Sequence, residues 1–214
     1  MIKILLVDDH ELFRTGLRSI LEGIPDFAVV GEAGTGEDAV NWVRKEPPDI
    51  VMMDVHMPGI GGIEATRKIG RINETVRVIA VTVLSADPFP TQLLDAGARG
   101  YISKGCPAAE LFDAIRAVSR GEHYVSSDVA RKLTLSKFTG ETAVAALSKL
   151  SARELQVMMM ITRGQSNQEI SDSLFLSPKT ISTYRHRLYE KLDVANDVEL
   201  THFAIRHGLL EHGQ

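Results

Sequence analysis

The sequence predicts a doubly wound α/β sheet of five parallel strands, followed by a separate all-α bundle of four helices. Three observations carry this. Short apolar runs alternate with longer stretches of helical spacing over residues 1–121; helical patterns without any strand signal fill residues 148–214; and an irregular stretch separates them. Alternating β and α segments imply a parallel sheet covered by helices on both faces.

The expected strands are Ile2–Val7, Phe27–Gly31, Asp49–Met53, Val76–Thr82 and Gly100–Ser103, each a short aliphatic run. Between them lie apolar stripes at helical spacing. Leu12, Leu17, Ile20 and Leu21 form the first; Ala39, Val40 and Val43 follow Thr35-Gly36; Ile63, Ala65, Thr66 and Ile69 follow Gly61-Gly62. Pro47-Pro48 and Pro58-Gly59 punctuate the loops around the third strand, and Leu111, Ala114, Ile115 and Val118 make a helix after Pro107. The regularity stops at Gly121. One short helix over Val129–Leu135 and a small-residue tether over Ser136–Ala146 are expected, giving three parts: residues 1–121, a linker at 122–147, and residues 148–214.

The four C-terminal helices carry their own start and stop signals. Ser151-Ala-Arg-Glu154 is a capping box opening the first, which Gly164 ends. Asn167–Leu174 is a short second helix. Ser177-Pro178 starts the third, with serine as cap and proline in the first helical position. Asp197–His207 is the fourth, ended by Gly208.

Composition narrows the class. The chain has 214 residues, 44% of them hydrophobic and 24% charged, which suits a soluble protein with one large or two modest cores. Cys106 is the only cysteine, so an intrachain disulfide and a cysteine-based zinc site are both excluded. No window approaches about 18 consecutive apolar residues, and the sequence begins directly with a strand instead of a charged-then-apolar leader. A cytoplasmic location without membrane contact is expected. Of the formal net charge of -4, all the excess lies in the first part; within Lys179–Lys191 the balance reverses, with Lys179, Arg185, Arg187 and Lys191 against Glu190.

The strand ends carry the chemistry. Ligands of such a sheet sit at the carboxyl ends of its strands, where Asp8, Asp9, Asp54, Thr82 and Lys104 converge. A lone acidic residue after a strand is usually a cap or loop residue, but all five at strand ends one, three, four and five make a pocket. Crowded carboxylates repel and shift each other's pKa; oxygen ligands beside a hydroxyl and a lysine suit Mg²⁺ and a phosphoryl group. Asp9 and Asp54, with a main-chain carbonyl, are expected to hold Mg²⁺, with Asp8 acting through water or a second layer. Asp54 is the candidate nucleophile that accepts a phosphoryl group as an acyl phosphate. Thr82 and Lys104 are expected to bind its oxygens.

Residues 1 to about 120 resemble the receiver domain of two-component response regulators, on Val7-Asp8-Asp9-His10, Met53-Asp54-Val-His56-Met-Pro58-Gly, Val81-Thr82 and Tyr101-Ile-Ser-Lys104. The resemblance implies the flavodoxin-like strand order 2-1-3-4-5, a sensor histidine kinase as phosphodonor, and the main-chain oxygen of His56 as a further metal ligand. His56 and His10 are then not imidazole ligands. It also implies Thr82 and Tyr101 as a switch pair. Two residues depart from the pattern: Val83 replaces the common small residue after the threonine and is expected to slow access to the acyl phosphate, and Gly105 stands where many receivers have proline.

Residues 166–191 have the layout of a helix-turn-helix, with Ile170, Leu174, Leu176, Ile181, Leu188 and Leu192 facing inward. The opposite face of its second helix carries Lys179, Ser182, Thr183, His186 and Glu190, groups suited to base edges and phosphates in a major groove. Ser182, Thr183 and His186 are the candidates for base reading. Lys179, Tyr184, Arg185, Arg187 and Lys191 are candidates for backbone contact, Arg185 for either, and Thr180 lies in the same stretch. A solvated face on a small structural bundle would carry the same charges.

Leu150-Ser-Ala-Arg-Glu154, Gly164, Asn167-Gln-Glu-Ile170 and Leu176-Ser-Pro-Lys-Thr180-Ile-Ser-Thr-Tyr184 resemble the LuxR-type output domain. Receiver and LuxR-type helix-turn-helix together are similar to the NarL/FixJ class, and Pro58–Ile69, Ser177–Thr180 and Val198–Leu209 most resemble its GacA/UvrY/LetA group. The resemblance implies a transcription factor bound to double-stranded promoter DNA, homodimerisation on phosphorylation, a tripartite sensor kinase and control of small-RNA genes. Val198, Thr201, Ala204 and Ile205 recur at helical spacing and are the candidate dimer surface, though such positions also serve to pack inside a bundle.

The rival readings are a flavodoxin-like FMN protein, an aspartate-nucleophile phosphatase and a receiver with a protein-interaction tail. Asp8-Asp9-His10-Glu11 would repel the FMN phosphate, and His56 stands where such phosphatases carry a second aspartate. Neither enzyme needs residues 148–214. Salt-dependent DNA binding separates the third.

Overall fold

The computed structural model describes residues 1–83, 88–131, 134, 146–207 and 209. The chain divides into two compact units, Met1–Ser85 with Pro90–Arg131 and Ala86–Phe89 with Lys132–Gln214, so the main boundary follows Arg131.

The elements up to that boundary are β1 (Ile2–Val7), α1 (Glu11–Glu22), β2 (Phe27–Ala33), α2 (Gly36–Lys45), β3 (Ile50–Asp54), α3 (Gly61–Ile72), β4 (Arg77–Thr82), α4 (Phe89–Asp95), β5 (Gly100–Ser103), α5 (Ala108–Ser119) and β6 (Tyr124–Val125). All strand pairs are parallel, in the order β2-β1-β3-β4-β5-β6. The sheet is therefore six-stranded, not five-stranded as expected. β6 is only two residues long, too short for any alternation to be read, and it forms by pairing Tyr124 with Gly100 and Val125 with Tyr101. Residues 122–131, assigned to a linker from sequence, group with the first unit: β6 pairs with β5, and the Ser126 N–H donates to the Tyr101 carbonyl at 3.0 Å. The rest of the expected tether, apart from Ala146, falls outside the described residues, as does Gly208.

The strands read as continuous apolar runs because both faces are buried. Successive side chains point to opposite faces. Ile4, Leu6, Ile50, Met52, Ile79 and Val81 meet α1 and α5 through Leu17, Leu21, Leu111, Ile115 and Val118; Leu5, Val7, Val51, Met53 and Val78 meet α2 and α3 through Ala39, Val40, Val43, Ala65 and Ile69. One expected stripe is corrected. Leu12 is 87% exposed and Ile20 45%, while Phe13 packs against the core instead. Leu12 lies five residues from Leu17, about 140° around the helix, whereas Phe13, Leu17 and Leu21 repeat every fourth residue.

The second unit contains α6 (Ala152–Thr162), α7 (Asn167–Leu174), α8 (Pro178–Leu192) and α9 (Asp197–Arg206). Ser151 and Glu154 form the expected capping box, and Ser166 with Glu169 forms another. Ser177 caps α8 through the Thr180 N–H, with Pro178 behind it. α8 packs on α6 and α7, and α9 on α6, around buried Leu155, Met158, Ile170, Leu174, Ile181, Leu188, Leu192 and Leu200. Among the described residues no helix is long and apolar enough to cross a membrane.

Candidate functional site

At the carboxyl edge of the sheet the register of β1, β3 and β4 brings three strand ends together. Asp8, Asp54 and Thr82 are all buried, and Lys104 follows β5. The Lys104 Nζ lies 2.5 Å from Asp8 Oδ2 and 3.0 Å from Asp54 Oδ2. Its position is set by the chain: the Lys104 N–H donates to the Thr82 carbonyl at 2.9 Å, and the ammonium lies 4.6 Å from the centre of the Phe13 ring.

Asp54 is held on its other oxygen, Oδ1, which accepts from the Val55 N–H at 2.7 Å. Burial pushes its carboxyl up to about 6; Lys104 pulls it down, and Asp8 pushes it up again. Burial alone would lower Lys104, but the carboxylates of Asp54 and Asp8 outweigh that and its pKa is raised. The pocket thus holds more negative charge than its one lysine balances.

Asp9 is exposed at the rim. One ligand atom from each of Asp8, Asp9, His10 and Asp54 lies within 4.8 Å of the others, a cluster compatible with a divalent cation. His10, not expected as an imidazole ligand, stands beside the cluster: its Nδ1 lies 3.0 Å from Asp9 Oδ1 and 3.2 Å from Asp8 Oδ1, with the side chain 69% exposed. Sequence spacing alone offers no way to know that its ring turns back toward the pocket. Arg14 was also missed. It donates to the Asp8 carbonyl at 2.5 Å and to Glu32 at 3.1 Å, so it holds the loop bearing Asp8 and Asp9. Tyr101 is fully buried and Val83 is 63% exposed.

On α8 the expected DNA residues separate into two groups. Lys179, Ser182, Thr183, His186 and Arg187 are exposed; Thr180 and Tyr184 are half-buried. Ser182 Oγ donates to the Pro178 carbonyl and Thr183 Oγ1 to the Lys179 carbonyl. Arg185 and Lys191 need correction as free cations. Arg185 pairs with Asp197 and donates to the Gln165 carbonyl at 3.2 Å, with its side chain 16% exposed. Lys191 Nζ lies 2.7 Å from Glu154 Oε2 and 2.9 Å from Oε1. Both partners are far away in sequence, so no local pattern on α8 announces them. Burial would raise Glu154, but Lys191 and the Ser151 N–H overcome it and hold the carboxyl below its usual range.

The dimer candidates on α9 also divide. Val198 is 64% exposed and Ala204 fully buried; Thr201 and Ile205 are half-buried. Ala204 faces the core and is removed from the candidate surface.

Comparison with known proteins accounts for both units. Residues 4–116 match the response regulator receiver domain, and residues 148–204 match the bacterial regulatory proteins of the luxR family. The chain is 53% identical to the response regulator UvrY of Escherichia coli (strain K12) over 209 residues, 98% of this chain and 96% of the relative. It is 49% identical to the response regulator GacA of Pseudomonas syringae pv. syringae over 211 residues, 99% of each. Among solved structures, RcsB from Salmonella enterica serovar Typhimurium, bound to promoter P1flhDC in the presence of the phosphomimetic BeF3⁻, is 27% identical with a TM-score of 0.72. That likeness covers 96% of this chain and 98% of RcsB.

Proposed function

The chain belongs to the response regulators that join a receiver domain to a LuxR-family output domain, and from that premise we propose that it is a promoter-binding transcription factor switched by phosphorylation of Asp54. The observation that carries the reading is the pocket itself: a buried carboxylate, Asp54, shares one lysine with Asp8 at the strand ends.

Asp54 takes the phosphoryl group from a phosphohistidine of a sensor kinase. A carboxylate oxygen forms the new O–P bond, the N–P bond breaks, and the electron pair leaves with the imidazole. The Lys104 ammonium, already in contact with Asp54, balances the phosphoryl oxygens, and the Thr82 hydroxyl donates to one of them. Asp8, Asp9, Asp54 and the main-chain oxygen of His56 would hold Mg²⁺, and the ion would supply charge neutralisation for the carboxylates and the incoming phosphoryl group. Excess negative charge among oxygen donors suits this ion.

In the output domain, Ser182, Thr183 and His186 read bases, with Lys179, Thr180, Tyr184 and Arg187 on the backbone. Arg185 and Lys191 shape the domain. Phosphorylation shifts the Thr82–Tyr101 pair and favours a homodimer through the α9 face around Val198, Thr201 and Ile205; two copies then meet an inverted repeat. A regulator of this kind works in the cytoplasm, where kinase and promoter meet it.

The test is labelling by acetyl phosphate. Wild-type protein is expected to gain an acid-stable, base-labile acyl phosphate that EDTA prevents, and Asp54→Asn to gain none. Wild-type labelling in that variant would remove Asp54 from the role, and labelling unaffected by EDTA would remove the metal. The same phosphorylation is expected to raise the dimer fraction and operator affinity together.

A further inference from the structure

We propose that Glu37, on α2, is a positioning residue for the metal site: it caps the start of α3 from outside that helix and fixes the β3–α3 loop that carries the His56 main-chain oxygen. This rests on the reading of Asp8, Asp9, Asp54 and His56 as the metal ligands.

A helix leaves its first N–H groups without partners inside the helix. α3 has no cap of its own, because its N-cap residue is Ile60, whose side chain cannot accept. Glu37 supplies the acceptor: Glu37 Oε1 takes the Ile60 N–H at 2.9 Å, across 23 residues of sequence. A carboxylate there also meets the positive end of the helix dipole.

The loop is held against this carboxylate. Gly59 has φ +70, which favours glycine, and a Cβ placed on it would stand 2.5 Å from both carboxylate oxygens of Glu37, so a side chain there would displace that carboxylate. The far end is fixed as tightly. The Gly62 N–H donates to the Val55 carbonyl at 3.1 Å, and a Cβ on Gly62 would lie 2.0 Å from the Asp54 carbonyl oxygen. His56 lies between these two anchors, and its own N–H bonds the Asp54 carboxyl. Glu37 is in turn positioned by α2, whose N-terminus Thr35 caps through the Asp38 N–H at 3.1 Å.

A Glu37 that only stabilises the fold would leave cation affinity unchanged, and that separates the two roles. The experiment measures Mn²⁺ binding to the full-length chain by calorimetry, with melting in EDTA as the control for folding. Glu37→Asp keeps the charge but is one methylene too short, and it is expected to weaken Mn²⁺ binding by about 10-fold, the usual cost of losing a group that orients a ligand. Glu37→Gln keeps length and acceptor and should retain most of the affinity. In wild-type protein, Mn²⁺ should slow hydrogen exchange at the Ile60 amide, since coupling is reciprocal. If both variants bind Mn²⁺ like wild type while Asp9→Asn does not, the positioning role is refuted and the metal site stands. If Asp9→Asn also binds like wild type, the metal reading itself has failed and this proposal falls with it. Unchanged Ile60 exchange in wild-type protein counts against the proposal even if no variant folds.

Discussion

The strand-end pocket of the first unit and the polar surface of the second treat charge in opposite ways. Asp8 and Asp54 share the cation of Lys104 with Asp9 close by, and Asp54 is pushed up to about 6, chiefly by burial. In the second unit two cations of α8 are each matched by one acid: Arg185 by Asp197, Lys191 by Glu154. Buried charge that is left unbalanced costs stability and is kept where chemistry needs it. Charge that is balanced inside the domain is architecture, whereas Lys179 and Arg187 on α8 are exposed.

The largest effect that can break this comparison is on the pocket. The raised pKa of Asp54 means that the folded state binds its proton more tightly than the unfolded chain does. Its stability contribution is therefore complete below the ordinary aspartate range and is lost as pH rises through about 6. In EDTA at pH 7.5, Asp54→Asn should stabilise the protein by about 2–3 kcal/mol, since the carboxyl is raised from its ordinary value to about 6 and each tenfold in proton affinity is about 1.36 kcal/mol. The gain should vanish near pH 4. Denaturant melts across that range check it, and a gain independent of pH would show that the pocket is not frustrated.

Next comes the balanced side. Arg185→Ala removes two charge-assisted bonds and should cost the second unit about 2 kcal/mol, while leaving the ranking of operator variants unchanged. Arg187→Ala should do the reverse, moving stability by less than about 0.5 kcal/mol and reducing the salt slope of DNA binding by about one. If Arg185→Ala alters base ranking without destabilising, the assignment of architectural and outward cations is wrong.

A base-specific loss is comparable but confined to one position. The Ser182 and Thr183 hydroxyl protons are spent on helix carbonyls, and Ser182 Oγ also accepts from Asn167 Nδ2 at 3.1 Å, so toward a base these oxygens have only acceptor lone pairs to offer. They match the amino groups of adenine or cytosine in the major groove. Thr183→Val should cost about 1–3 kcal/mol at one such base pair and little elsewhere; a uniform loss over all single-substitution operators would refute it.

The smallest effect lies in the turn between α7 and α8. Phe175 has φ 53, a left-handed conformation that a bulky side chain adopts at a cost, and it is 82% exposed. Phe175→Asn should stabilise the domain by about 0.5–1 kcal/mol, read as a small rise in Tm; a fall would mean that the ring does more than cover the turn.

Much of this was legible in the chain. The apolar runs had to be strands of a doubly covered sheet, because they are short and largely apolar, and four of the five lead into a group with phosphoryl or metal chemistry. Parallel pairing then leaves one edge for Asp8, Asp54, Thr82 and Lys104 to share. The capping box at Ser151 and the Ser177-Pro178 start are local devices, and local devices are readable. Leu12 was misread because an apolar residue next to a stripe looks like a member of it. β6 was invisible because two residues carry no period.

What the sequence determined by itself is what depends on order and spacing: strand, helix and cap positions, and which polar residues stand at strand ends. Tertiary structure alone decided the pairings across long separations. Arg185 finds Asp197, Lys191 finds Glu154, Glu37 finds Ile60, and Ala204 turns inward. The reason is physical: a period says which face of an element a side chain occupies, but the partner opposite that face is chosen by packing, and charge is spent or kept free only once the partner is in place.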